Sequence, residues 1–257
     1  MASHPAASAR QARKNLDTRK IAAVSQCQPL GARKIVPCFD EPHYKAIWNV
    51  TIIHPKGTTA IANALELNET TEPNGEWKVS RFHPTPLLSS YLLALFVSEF
   101  EYDEAYTKRG VRFRMWSSPN TKDGRPYGLK TAIIFMEKFE EYFGVQDIVM
   151  KQDLVAVSKH LGGMENWGLI TLKDGIVLTN GLLPSPETID TAAVTLIAHE
   201  LAHQMRLSGA RIHLRKISDD RSTRHEILNE KKARPSRSRK RVRLSCDCDA
   251  TSPYSYS

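Results

Sequence analysis

Apolar and polar positions alternate through the first part of the chain and then settle into a helical spacing. Ile47-Trp48-Asn49-Val50-Thr51-Ile52-Ile53 is rich in β-branched residues and stops at Pro55-Lys56-Gly57. Trp77-Lys78-Val79-Ser80-Arg81-Phe82 alternates between two faces, and Tyr91 to Val97 is a continuous apolar run of buried-strand length. Turn-forming Glu72-Pro73-Asn74-Gly75 lies between such runs. Together they predict an antiparallel β domain over residues 25–105, behind a polar, basic and flexible leader over residues 1–24.

Val111-Arg112-Phe113-Arg114-Met115-Trp116 alternates once more, and then the period lengthens. Leu129, Ala132, Ile133, Met136, Phe139 and Phe143 recur at helical spacing, with Gly144 behind them as a C-terminal stop. Asp153 to Val157 and Leu169 to Leu178 predict strands, Pro184 and Pro186 a loop, and Asp190 the N-cap of a helix from Thr191 to His203. The fold class is α+β, with the second domain over residues 106–205. Beyond Met205 no period survives. Residues 206–257, rich in Arg, Ser and Lys, predict a disordered basic tail.

Composition changes this picture little. At 257 residues, 41% hydrophobic and 25% charged, the chain has the make-up of a globular protein with a real core. The formal net charge of +8 comes from the tail. The body is close to neutral, so a basic nucleic-acid surface is not expected of it. No apolar stretch is long enough to span a membrane, and the N-terminus lacks the apolar core of a secretory signal. Four cysteines are too few for a disulfide framework, and Cys246 with Cys248 forms an isolated pair. Asn49-Val50-Thr51 and Asn68-Glu69-Thr70 are glycosylation acceptors in a secretory setting.

The chemistry concentrates at His199-Glu200-Leu201-Ala202-His203. Histidines four apart share one helix face and can reach a single Zn²⁺, while the glutamate beside them can take a proton from a zinc-bound water. Upstream stands Gly162-Gly163-Met164-Glu165-Asn166-Trp167-Gly168. A glutamate on a strand beside a zinc site can hold a free ammonium in a charge-assisted pair.

These residues resemble a known family. Gly162-Gly163-Met164-Glu165-Asn166 is similar to the G-A-M-E-N motif of the M1 zinc aminopeptidases, with Gly163 where alanine is usual. Gly31-Ala32-Arg33-Lys34-Ile35-Val36-Pro37-Cys38-Phe39-Asp40-Glu41-Pro42 resembles a signature of that family's N-terminal β domain. Tyr91 to Phe100 resembles the end of that domain, and Ile197 to Gln204 the zinc helix. The likeness covers Ser25 to Gln204 and lies with the aminopeptidase N-like group. It implies a partial N-terminal β domain over 25–105 and the start of a thermolysin-like, gluzincin catalytic domain over 106–205. It implies one Zn²⁺ held by His199 and His203, with Glu200 as general base. Glu165 would bind the α-amine of peptide substrates with a free N-terminus, assisted by Gln28. Gly162, Gly163, Met164 and Asn166 would line the substrate cleft.

The sequence departs from the family beyond Gln204. A gluzincin takes a third zinc ligand from a glutamate on a following helix, and Ser222 stands at that position. Leu228-Asn229-Glu230 has the family's residue types at the wrong spacing. The family's transition-state-stabilising tyrosine would also lie further on. The expectation is an aminopeptidase by descent whose activity in this chain is weak or absent. The alternative is a non-catalytic fragment that binds peptides or a partner subunit, with homo-association through exposed apolar surface. Family members of this kind are mostly at the plasma membrane or extracellular; the chain as written, without signal or anchor, is expected in the cytoplasm.

Overall fold

A computed structural model describes residues 22–158, 160, 162–178, 186–209 and 243–249, with residues 186–190 and 243–249 described by their backbone alone. The first unit holds β1 (Ala22–Val24), β2 (Lys45–Pro55), β3 (Thr59–Ala62), β4 (Glu66–Thr71), β5 (Trp77–Phe82), β6 (Leu88–Ser89) and β7 (Leu95–Ser98). All pair antiparallel, in a three-stranded sheet β1-β7-β3 and a larger sheet in which β2, β5 and β4 are neighbours. Period-2 alternation puts Trp48, Val50 and Ile52 of β2 in a shared core with Phe82, Leu92, Leu93 and Leu95.

The second unit is a mixed sheet with helices packed on it. It comprises β8 (Glu101–Tyr106), β9 (Arg112–Ser117), α1 (Arg125–Phe143), β10 (Lys151–Val157), β11 (Gly163–Met164), β12 (Leu169–Lys173), α2 (Asp174–Val177) and α3 (Pro186–Leu207). The strand order is β11-β12-β10-β9-β8, with β10 parallel to both its neighbours and the edges antiparallel. β8, most of which the sequence reading assigns to the β domain, thus hydrogen-bonds into this second sheet. Gly144 caps α1 in the left-handed region at φ 64°, as the sequence predicts.

Both faces of β10 are covered, which is why six of its seven residues are buried. Leu154 and Ala156 join the core beneath the helices, with Leu129, Met136, Ile197, Leu201 and Met205. On the other face Lys151 and Asp153 meet the first unit. Lys151 donates to Asp153 and to the Ala62 carbonyl, and Arg114 grips Asp153 at 2.6 Å and Glu66 of β4 at 2.5 Å. The two units are therefore joined through a buried ion cluster.

Several expectations are corrected. Residues 22–24 are not leader but a strand on β7, and part of the expected tail, Arg243–Asp249, forms β13 along β2. Its sequence alternates between Leu or Cys and polar residues, a strand pattern that the composition of the whole tail obscures. The apolar run from Tyr91 begins as a 3-10 turn over Ser90–Leu92, and only Leu95–Ser98 is strand. An apolar run records burial, not conformation. Leu169–Lys173 is strand, and the chain turns into the short helix α2 at Asp174, whose carboxylate accepts from Gly175 N. α3 starts at Pro186, a residue suited to a first helical turn, so Asp190 lies inside the helix. Among the described residues no helix is long and apolar enough to cross a membrane.

Candidate active site

Ala193, Ile197, Leu201 and Met205 recur four apart along α3 and are fully buried, which turns the helix onto the sheet. That rotation decides what the histidine motif can do. His199 is left exposed, His203 half-buried, and Glu200 is pressed inward with 4% of its surface accessible. The two Nε2 atoms converge to 3.2 Å, with the rings nearly perpendicular at 79°. Two ligands on one tetrahedral ion with metal–nitrogen bonds of about 2.0–2.1 Å stand about 3.3 Å apart, so the pair fits zinc. Burial lowers the His203 pKa, with the Glu165 charge acting against it, and this favours the neutral imidazole a metal needs. Among the described residues no third His, Cys, Asp or Glu joins them. Ser222 and Glu230 lie outside the described residues.

Glu200 sits against β11. Burial first, and the Glu165 carboxylate second, push its carboxyl up to about 8, and its Oε2 has no hydrogen-bond partner among the described residues. A methyl group on Gly163 would collide with this carboxylate. The glycine that stands where the family usually has alanine is therefore what allows Glu200 to lie here.

Glu165 follows β11 on the segment leading to β12. Its carboxylate is close enough to influence Glu200, His203 and Tyr91. Gly162 is fixed by its carbonyl, which accepts from Lys173 N, and by its N–H, which donates to His160 Nδ1. Met164 is fully buried in the first unit's core, so it anchors the motif and presents no side chain to solvent. Asn166 is buried too, and neither polar atom of its amide finds a partner among the described residues. Gln28 is exposed in the loop after β1, and the structure records no contact that brings it to Glu165.

The sequence reading missed three residues that hold this arrangement: Gln204, Asp147 and Asn63. Gln204 Nε2 donates to the Glu165 carbonyl at 2.9 Å, and Asn63 Nδ2 donates to the Trp167 carbonyl at 2.8 Å. Asp147 accepts from Gln152, Ser208, Trp167 and Val149 N. Only for Gln204, adjacent to the histidine motif, did the sequence offer a signal.

Residues 7–92 match the peptidase M1 N-terminal domain, and residues 127–210 match the peptidase family M1 domain. The chain belongs to peptidase family M1. Similar relatives agree with that membership. Aminopeptidase N of Haemonchus contortus is 50% identical over 188 residues, covering 73% of this chain and 19% of that protein. Aminopeptidase N of Homo sapiens is 40% identical over 195 residues, covering 73% and 20%. Puromycin-sensitive aminopeptidase of Caenorhabditis elegans is 36% identical over 187 residues, covering 72% and 20%. This M1 chain spans about a fifth of the length of the curated relatives it matches.

Proposed function

We propose that the chain carries the amine-recognising and base-bearing part of a gluzincin aminopeptidase site, one that releases N-terminal residues from peptides. The observation that carries this reading is the 3.2 Å approach of His199 Nε2 and His203 Nε2, with Glu200 buried beside them and Glu165 next to both. His199 and His203 would hold the Zn²⁺, which when bound lowers the pKa of its water towards about 7 and polarises a carbonyl. Glu200 accepts the proton of the attacking water and returns it to the departing amine. Its desolvated position makes it a strong base for that task. Glu165 pairs with the substrate's α-ammonium, which restricts attack to the first peptide bond. The edge backbone at Gly163 lies along the same side.

Two histidines alone hold zinc weakly, and the described residues supply no third ligand. Turnover by this chain is therefore expected to be weak or absent. This same observation favours a second reading, a domain that binds free peptide N-termini through Glu165 without cleaving them. Hydrolysis of an alanine fluorogenic amide by the zinc-supplemented chain, beside Glu200→Gln, separates the two. Activity lost in Glu200→Gln supports the enzyme. Rates equal to that control, with retained binding of free-amine ligands, support the binding domain.

A further inference from the structure

An amine anchor selects substrates only if its distance from the histidine pair is fixed. Glu165 to Gly168 forms no regular secondary structure, and Glu165 is only half-buried. Nothing in the sheet pairing itself ties this segment to α3. Among the described residues, the direct hydrogen bonds between this segment and α3 come from one side chain. Gln204 is fully buried, one residue beyond His203, and its amide reaches both ends of the segment. Nε2 donates to the Glu165 carbonyl at 2.9 Å, while Oε1 accepts from Gly168 N at 3.2 Å and from Gln152 Nε2 at 3.3 Å.

Behind it the same segment is backed by buried polar groups. Gln152 Nε2 donates to Asp147 Oδ2 at 2.6 Å, and Asp147 Oδ1 accepts from Ser208 Oγ at 2.8 Å and from Trp167 Nε1 at 3.4 Å. Asn63 of the first unit holds the Trp167 carbonyl from the opposite side. A glutamine is suited to the central place because one side chain offers a donor and an acceptor together.

We propose that Gln204 is a positioning residue, which clamps Glu165 and Gly168 to the histidine-bearing helix and so sets where a substrate's α-amine sits. The proposal rests on the aminopeptidase reading of the site. Gln204 touches no reacting atom. Its effect passes through the Glu165 backbone, and the histidines keep their own support from the buried spine of α3.

The test uses the full chain supplied with zinc, as parent, Gln204→Met, Gln204→Glu and Leu196→Ala, the last a control on the same helix but outside the clamp. Three quantities are measured: zinc content, amide exchange at Gly168 by NMR, and the ratio of dissociation constants for N-acetylleucinamide and leucinamide. The parent prefers leucinamide. In Gln204→Met zinc is retained, the Gly168 amide exchanges faster, and the preference falls by about tenfold or more, the scale of a lost partner for a buried hydrogen-bonding group. Gln204→Glu keeps an acceptor for Gly168 but loses the donor to Glu165, so it retains protection and still loses preference. Leu196→Ala changes neither. A Gln204→Met chain that matches the parent in exchange or in preference overturns the proposal. A parent that does not discriminate between the two ligands sinks the amine-anchor reading instead.

Discussion

Glu200 and Gly163 form one contact, so the fate of either residue depends on the other. The carboxylate occupies the space a Cβ on Gly163 would fill. Gly163→Ala is expected to leave α3 in place and swing the Glu200 side chain off β11. A crystal structure of the variant checks this, and an unmoved carboxylate beside the new methyl would refute it. His199 and His203 make a second pair whose value is joint. His203→Ala leaves one imidazole, and zinc retained after dialysis should fall to the level of the double variant. Equal retention by the single variant and the parent, read by elemental analysis, would show that the ion is held elsewhere.

At the scale of elements, β2 and its neighbours govern how exposed the sheet is. β13 pairs with β2 over seven residues, Arg243 to Asp249 against Ile53 to Ile47. A strand edge without a partner is open to water and to other chains. Removing the chain from Arg243 onward should raise amide exchange along Ile47 to Ile53 while leaving β10 protected. Hydrogen exchange followed by peptide mass spectrometry reads this directly, and unchanged protection along β2 would mean that β13 contributes nothing to the sheet. The end of α1 is a simpler case. Gly144 sits at φ 64°, where a Cβ is strained, and Gly144→Ala should cost about 1 kcal/mol of unfolding free energy by denaturant titration.

For the whole molecule the decisive feature is the ion cluster between the two units. Burial alone would raise the Asp153 pKa, but Lys151 and Arg114 more than offset it and hold the carboxyl below its usual value of 3.8. A carboxylate depressed in the folded state stabilises above its unfolded pKa, and that stability is lost as pH falls below it. Asp153→Asn should therefore flatten the acid limb of the stability curve below about pH 4. At neutral pH it should cost about 3–5 kcal/mol, because Lys151 is left buried without its carboxylate and Arg114 keeps only Glu66. Urea titrations of parent and variant across pH give both numbers. An unchanged acid limb would show that Asp153 does not carry the linkage.

The sequence by itself determined the family and much of the element order. His199, Glu200 and His203 are legible because helix periodicity is local, and β2, β5, β9 and α1 are legible because their periods are clean. The family likeness was also readable, since its motifs are short contiguous runs. Tertiary structure alone decided which residues fix the site. Gln204 and Asn63 look like ordinary polar residues until folding brings each against a carbonyl distant in sequence. Lys151 and Asp153 are charged residues in sequence, yet both are buried because the first unit covers that face of β10. Burial and partnership are properties of packing between elements, and one-dimensional periodicity reports a single element at a time.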